Sequence, residues 1–225
     1  MRLLIHLEGQ TEETFVNEIL APHLLTFGYY SVAPRILGNA RLRGGIRSWP
    51  SVRKDVINHL NEDKNCIATT MVDYYGLPRA KGGAWPGRAE ATALRPPDRA
   101  VCVQAALFND VKEDVFRPER FVPFVLMHEF EALLFSDCHL LSRGIGRADL
   151  QAQFEAVRSQ FRTPEDINDS PETAPSKRIE AILPGYQKPL LGILAILEIG
   201  LPTIRTECPH FDRWLTKLES LPGVA

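Results

Sequence analysis

Leu3-Leu4-Ile5-His6-Leu7-Glu8-Gly9-Gln10-Thr11-Glu12 sets an apolar run against an acid, a glycine and a second acidic segment. The run from Leu3 to Leu7 reads as a buried central strand, and Glu8-Gly9 as the turn that ends it. Thr11, two glutamates and the apolar positions Phe15, Val16, Ile19 and Leu20 then make a helix start with Thr11 as its cap. In open α/β sheets, binding sites collect where a strand hands over to its helix. Glu8 stands there.

The alternation continues downstream. Tyr29 to Leu37 reads as a second strand, and Ser51 to about Leu60 as a helix. Cys66 to Val72 is a third strand that stops at Asp73-Tyr74-Tyr75-Gly76-Leu77-Pro78. Arg99 to Leu107 is helical, Phe121 to Met127 a further buried strand despite Pro123, and His128 to Phe135 the opening of a helix. This order predicts an α/β fold with a largely parallel sheet and helices on both faces. From Asp149 onward no strand is expected. Leu150 to Phe161, Lys177 to Leu183, Leu190 to Ile199 and Phe211 to Leu218 read as helices. The expected division is therefore an α/β core at 1–145 and a helical extension at 146–225, packed on or beside it.

The chain has 225 residues, 44% of them hydrophobic and 24% charged, enough to bury a sizeable core. Lys and Arg number 26 against 28 Asp and Glu, a formal charge of -2, which removes overall basicity as a reason to invoke nucleic acid and leaves only local patches. Cys66, Cys102, Cys138 and Cys208 are scattered and lack the spacing of zinc sites, so they are expected to be reduced and mostly buried, in the cytoplasm. The Met1–Glu8 start turns acidic too early for a secretory signal. Pro189 to Leu201 contains Glu198 and is shorter than the ~20 apolar residues of a membrane span, so no membrane is expected. The sequence carries no phosphate-binding loop, no dinucleotide glycine fingerprint and no nucleophile-elbow serine.

Glu8, Asp73 and the Glu129/Glu131 pair each follow an apolar run directly. If those runs are neighbouring parallel strands, the carboxylates converge on one sheet edge. Carboxylates held together raise one another's pKa unless a cation compensates, and all-oxygen sites favour Mg²⁺ or Mn²⁺. The plainer use of such acids is to cap helix starts. Glu131 resists that reading because it lies inside an apolar stretch, where an ionised group needs a partner or a cleft; the choice between Glu129 and Glu131 depends on where the helix begins. Candidate phosphate contacts are Arg41, Arg43 and Arg47 in a glycine-bearing loop, Lys177 and Arg178 in a helix capped by Ser176, and Lys188 after Gly185-Tyr186. Lys81 and Arg88 are further basic residues after Asp73. His6 reads as a packing histidine, and His128 as a ligand or proton carrier.

Glu8-Gly9-Gln10-Thr11-Glu12 after a hydrophobic strand resembles the opening of Toprim domains, found in topoisomerases, bacterial primases and overcoming-lysogenisation-defect nucleases. The chain resembles more closely a stand-alone Toprim-like bacterial family. Its hallmarks stand here as Val72-Asp73-Tyr74-Tyr75-Gly76-Leu77-Pro78, His128-Glu129-Phe130-Glu131-Ala132-Leu133-Leu134-Phe135 and Ala174-Pro175-Ser176-Lys177-Arg178. They continue in Gly185-Tyr186-Gln187-Lys188-Pro189 and Arg205-Thr206-Glu207-Cys208-Pro209-His210-Phe211. The resemblance implies Glu8 as general acid/base or metal ligand and Asp73 as a Mg²⁺ ligand. Tyr75 stands where the pattern has its second aspartate, and Glu129 or Glu131 is the candidate replacement. A divalent-metal-dependent nuclease or related phosphoryl-transfer enzyme of a bacterial defence-type system follows, with nucleic acid and an ATPase as partners. The alternatives are a non-catalytic regulatory or nucleic-acid-binding subunit of an ATPase complex, and a small-nucleotide phosphohydrolase using the same acids.

Overall fold

The computed structural model describes residues 1–37, 45–79, 82–167, 170 and 172–224. Arg41, Arg43 and Lys81 lie outside them. Among the described residues a five-stranded sheet has β1 (Arg2–Leu7) at its middle, β2 (Ser31–Ile36) on one side and β3 (Cys66–Asp73) on the other. The short β4 (Phe121–Val122) and β5 (Val125–Leu126) both pair with β3, and every pairing is parallel. β1 is buried from Leu3 to Leu7 and β3 along all eight residues, as strands covered on both faces must be. β2 carries Pro34, which an edge strand tolerates because one side of it has no ladder to feed.

The single strand expected over Phe121 to Met127 is instead two short pieces. Pro123 has no N–H to give, and the ladder breaks at it. The Thr70 hydroxyl repairs the gap by donating to the Phe124 carbonyl at 2.8 Å and accepting from the Phe124 N–H at 2.9 Å.

Period-two alternation sends Leu3, Ile5, Leu7, Ile67 and Met71 to one face, Ala68 and Val72 to the other. The second face is covered by α3 (Trp49–Glu62) and α4 (Asp98–Val111), through Val52, Val56, Leu60, Val103 and Leu107. The first face meets α1 (Gln10–Phe15), α2 (Ala21–Leu25), α5 (Cys138–Gly144) and the helices after Asp149. Those are α6 (Gln151–Arg158), α7 (Pro175–Ile182), α8 (Ile193–Glu207) and α9 (Pro209–Ser220). One continuous apolar cluster joins β1 to Phe154, Ile196, Phe211 and Leu215, and Phe124 stacks on Trp214 with ring centroids 4.4 Å apart. The extension is thus one wall of the core.

Prolines shape this layer. α1 and α2 are joined by a wide turn at Val16–Leu20, which accommodates Pro22 where an ordinary turn would need its missing N–H. α8 breaks at Gly200 (φ 73°), two residues before Pro202. By length and composition Lys188–Glu207 is apolar enough to cross a membrane, but its Ala195, Ile196, Ile199 and Ile204 are buried in the protein core. The helix expected to open at His128 is a tight three-residue-per-turn segment at Phe130–Ser136, followed by α5.

Candidate functional site

After β1 the chain lays β2 on one side of it and then β3 on the other, so the strand order, though not the strand direction, reverses between β1 and β3. Such a switch point leaves a crevice outside the C-terminal strand ends. Register fills it with acids. Leu7 pairs with Met71, which sets Glu8 beside the end of β3, and Asp73 pairs with Leu126, which sets Glu129 and Glu131 just beyond β5.

Gly9, extended at φ −153°, precedes the first residue of α1, and Glu12 is the third residue of that helix. Its carboxylate bonds back to the Gly9 backbone, the reciprocal half of a capping box. Thr11 makes no cap bond and is a buried helical residue, contrary to the expectation above. Glu12 is nevertheless buried, with its carboxyl next to Glu8. Burial drives its pKa up and the hydrogen bonds and Lys188 pull it back. In the sequence Glu12 reads only as first-turn acidity of the helix after β1.

Asp73 is buried and accepts one hydrogen bond, from the Phe130 N–H at 3.0 Å. Burial first, then Glu8, Glu12 and Glu131, push it far above the usual carboxylate range. Glu129 accepts from the Ser176 N–H at 2.9 Å in the first turn of α7. Ser176 serves through its backbone, and the cap position of that helix is Ala174. Glu131 is 2% exposed and takes 2.9 Å contact from the Lys188 ammonium, whose own side chain is 41% exposed. Burial still outweighs Lys188 and lifts Glu131 to about 7, while the acids push the Lys188 pKa up. Glu8 also rises to about 7, from burial and then Glu12. Among the described residues its Oε2 is buried without a hydrogen-bond partner. A Cβ on Gly76 would come within 3.2 Å of that oxygen and of Ile46, so a glycine there lets the loop after β3 close against Glu8.

The structure therefore brings Glu8, Glu12, Asp73, Glu129, Glu131 and Lys188 into one electrostatic unit. Other expected contacts go elsewhere. Arg47 pairs with Asp55, eight residues on, and Lys177 with Glu180 at 2.7 Å on the surface. Arg178 donates to the Thr173 carbonyl and lies 5.0 Å over the Phe161 ring. These three are held by sequence neighbours or packing; Arg43 is outside the described residues. Arg88 stacks 3.8 Å over Tyr74 and bonds its hydroxyl, a structural pairing. Tyr75 is 40% exposed and joins the loop through its N–H to the His128 carbonyl. His128 is buried, donates from Nδ1 to the Ile167 carbonyl, and holds φ at 65°, a costly left-handed turn that aims the next residues at the pocket. His139 and His210 bond Gln151 and Gln104.

Among the described residues the donor set is all oxygen, five carboxyl groups against one lysine, which suits a hard divalent cation. As the side chains stand, no three Asp, Glu, His or Cys among the described residues are gathered closely enough to hold an ion. Glu131 meets Lys188 and Asp73 the Phe130 amide through one oxygen each. Comparison with curated proteins and with solved structures returned no match. The model of a domain of unknown function, DUF4276, matches residues 7–219, nearly the whole chain and every acid of the pocket, and the chain belongs to that family.

Proposed function

We propose that this chain is a Toprim-like, divalent-metal-dependent phosphoryl-transfer enzyme, most closely a nuclease of a bacterial defence-type system working with an ATPase partner. One observation carries the reading: among the described residues five carboxylates, four of them on buried residues, meet at a switch point against a single lysine, with Glu8 Oε2 buried and without a partner. A fold keeps such an excess of like charge only where a cation or proton completes it. Asp73, Glu129, Glu131 and Glu12 are the residues that would hold Mg²⁺ or Mn²⁺, and Glu12 with Glu131 makes up for Tyr75 at the second-aspartate position. Bound there, the ion would polarise a phosphoryl oxygen and make water more acidic. Glu8, poised near neutral pH, takes or returns a proton. Lys188, once released from Glu131, orients the phosphate.

The test is cleavage of short DNA and RNA, with free nucleotides as competitors, under Mg²⁺ and Mn²⁺. Glu8→Gln and Asp73→Asn are expected to lose at least 100-fold (on the order of the acid–base contribution). Activity surviving both changes undiminished overturns the assignment. A second reading, a metal-free regulatory subunit, is favoured by the Lys188–Glu131 pair, which already neutralises part of the cluster, and by Tyr75. Absence of Mn²⁺ binding at millimolar concentration selects it.

A further inference from the structure

Tyr186 lies between α7 and the wide turn Lys188–Gly192, two residues before the lysine that enters the acidic pocket. It is 8% exposed, and among the described residues its hydroxyl is buried with no hydrogen-bond partner. Buried hydroxyls in folded proteins are satisfied, so an orphan one calls for an explanation. The position is not slack. A Cβ on Gly192 would lie 2.8 Å from the hydroxyl oxygen and 3.8 Å from the Thr11 methyl, so the turn closes on this hydroxyl beside Thr11 in the first turn of α1. Its charged surroundings are Glu131, Glu129 and Glu180, and with burial they keep the phenol protonated, a donor. It nevertheless bonds none of these carboxylates.

We infer that the Tyr186 hydroxyl is a positioning donor of the pocket, reserved for an unprotonated oxygen of a phosphate-bearing ligand. The inference rests on the phosphoryl-transfer reading and adds to it a substrate contact supplied by the helical extension. A phosphate oxygen brings the acceptor that the protein itself does not offer, and a bond to an ionised oxygen is among the stronger ones. Lys188, on the same stretch, supplies the charge.

Inorganic phosphate is the probe, titrated calorimetrically with and without Mn²⁺ into the wild-type chain and Tyr186→Phe; Mn²⁺ alone is titrated in parallel. Tyr186→Phe is expected to weaken phosphate binding roughly tenfold, to leave Mn²⁺ affinity within about twofold, and to melt no lower than wild type when unliganded. The last readout separates the roles, because a hydroxyl with an internal structural partner would destabilise the chain when removed. Equal phosphate affinity in the two proteins, or a clear fall in the melting temperature of Tyr186→Phe, overturns the inference. No phosphate binding under either condition overturns it as well. Phosphate binding that differs between the two proteins while Mn²⁺ does not bind supports the donor and removes the metal-dependent reading instead.

Discussion

Glu165 and Glu8 are both glutamates lifted to about 7 chiefly by the loss of water around the carboxyl, and they do opposite things. Glu165 accepts from the His210 N–H at 2.8 Å and the Phe211 N–H at 2.9 Å, one oxygen for each, and so closes the start of α9. Both of its oxygens are used, and the helix dipole favours its charge. Glu8 has one oxygen stranded in the interior, with Glu12, Glu131 and Glu129 as like-charged neighbours. A raised pKa records burial in both cases. Only the inventory of partners distinguishes an acid that serves the fold from one held for something outside it.

That contrast is open to direct attack. The largest effect is expected at Glu165: Glu165→Ala strands two N–H groups inside the protein and costs about 2–4 kcal/mol in urea unfolding. Glu8→Gln, made in parallel, is expected to cost nothing or to stabilise by up to ~1 kcal/mol at pH 8, where it removes like-charge repulsion. Equal losses in the two variants would break the comparison.

Next comes pH. Glu8 and Glu131 keep protons in the folded chain over a range where the unfolded chain has lost them, from 4.5 up to about 7. The folded state then binds more protons, so stability falls as pH rises through that window, by on the order of 1–3 kcal/mol. Glu165 titrates in the same window, and Glu8→Gln isolates the share of Glu8 by making the curve shallower. Mn²⁺ is expected to reverse the loss, raising the melting temperature more at pH 8 than at pH 5, and Asp73→Asn to abolish that gain. A Mn²⁺ effect that ignores pH would detach the ion from these acids.

A smaller effect belongs to Lys188. Lys188→Met removes the cation that, among the described residues, pairs with Glu131, and is expected to cost about 1 kcal/mol at pH 8 and little at pH 5, where Glu131 is protonated. The smallest is at Tyr75: Tyr75→Phe should stay within about ±0.5 kcal/mol and leave Mn²⁺ binding unchanged, since the ring is an exposed loop residue. A change in metal affinity there would bring Tyr75 into the site.

The basic residues teach the same lesson from the other side. Arg47, Lys177 and Arg178 looked like phosphate contacts in sequence and are occupied by Asp55, Glu180 and Thr173, at most eight residues away. Lys188 looked no better, yet it reaches Glu131 from 57 positions away. Glu12 was hidden for the converse reason, since its local task of closing the α1 start accounts for it so fully that nothing suggests a second.

The apolar runs at Leu3–Leu7 and Cys66–Val72, and the acids that follow them, determined by themselves that strands would end in carboxylates, because burial of alternating or continuous apolar residues is a local, periodic property. The parallel sheet with helices on both faces followed from the order of those runs. Which acids meet, which oxygen is left without a donor, and that Tyr186 and Lys188 of the helical extension close on the pocket were decided only by the tertiary structure. Those contacts depend on how α1, α7 and the turn before α8 pack against one sheet edge, and packing across more than a hundred residues leaves no period in the chain to read.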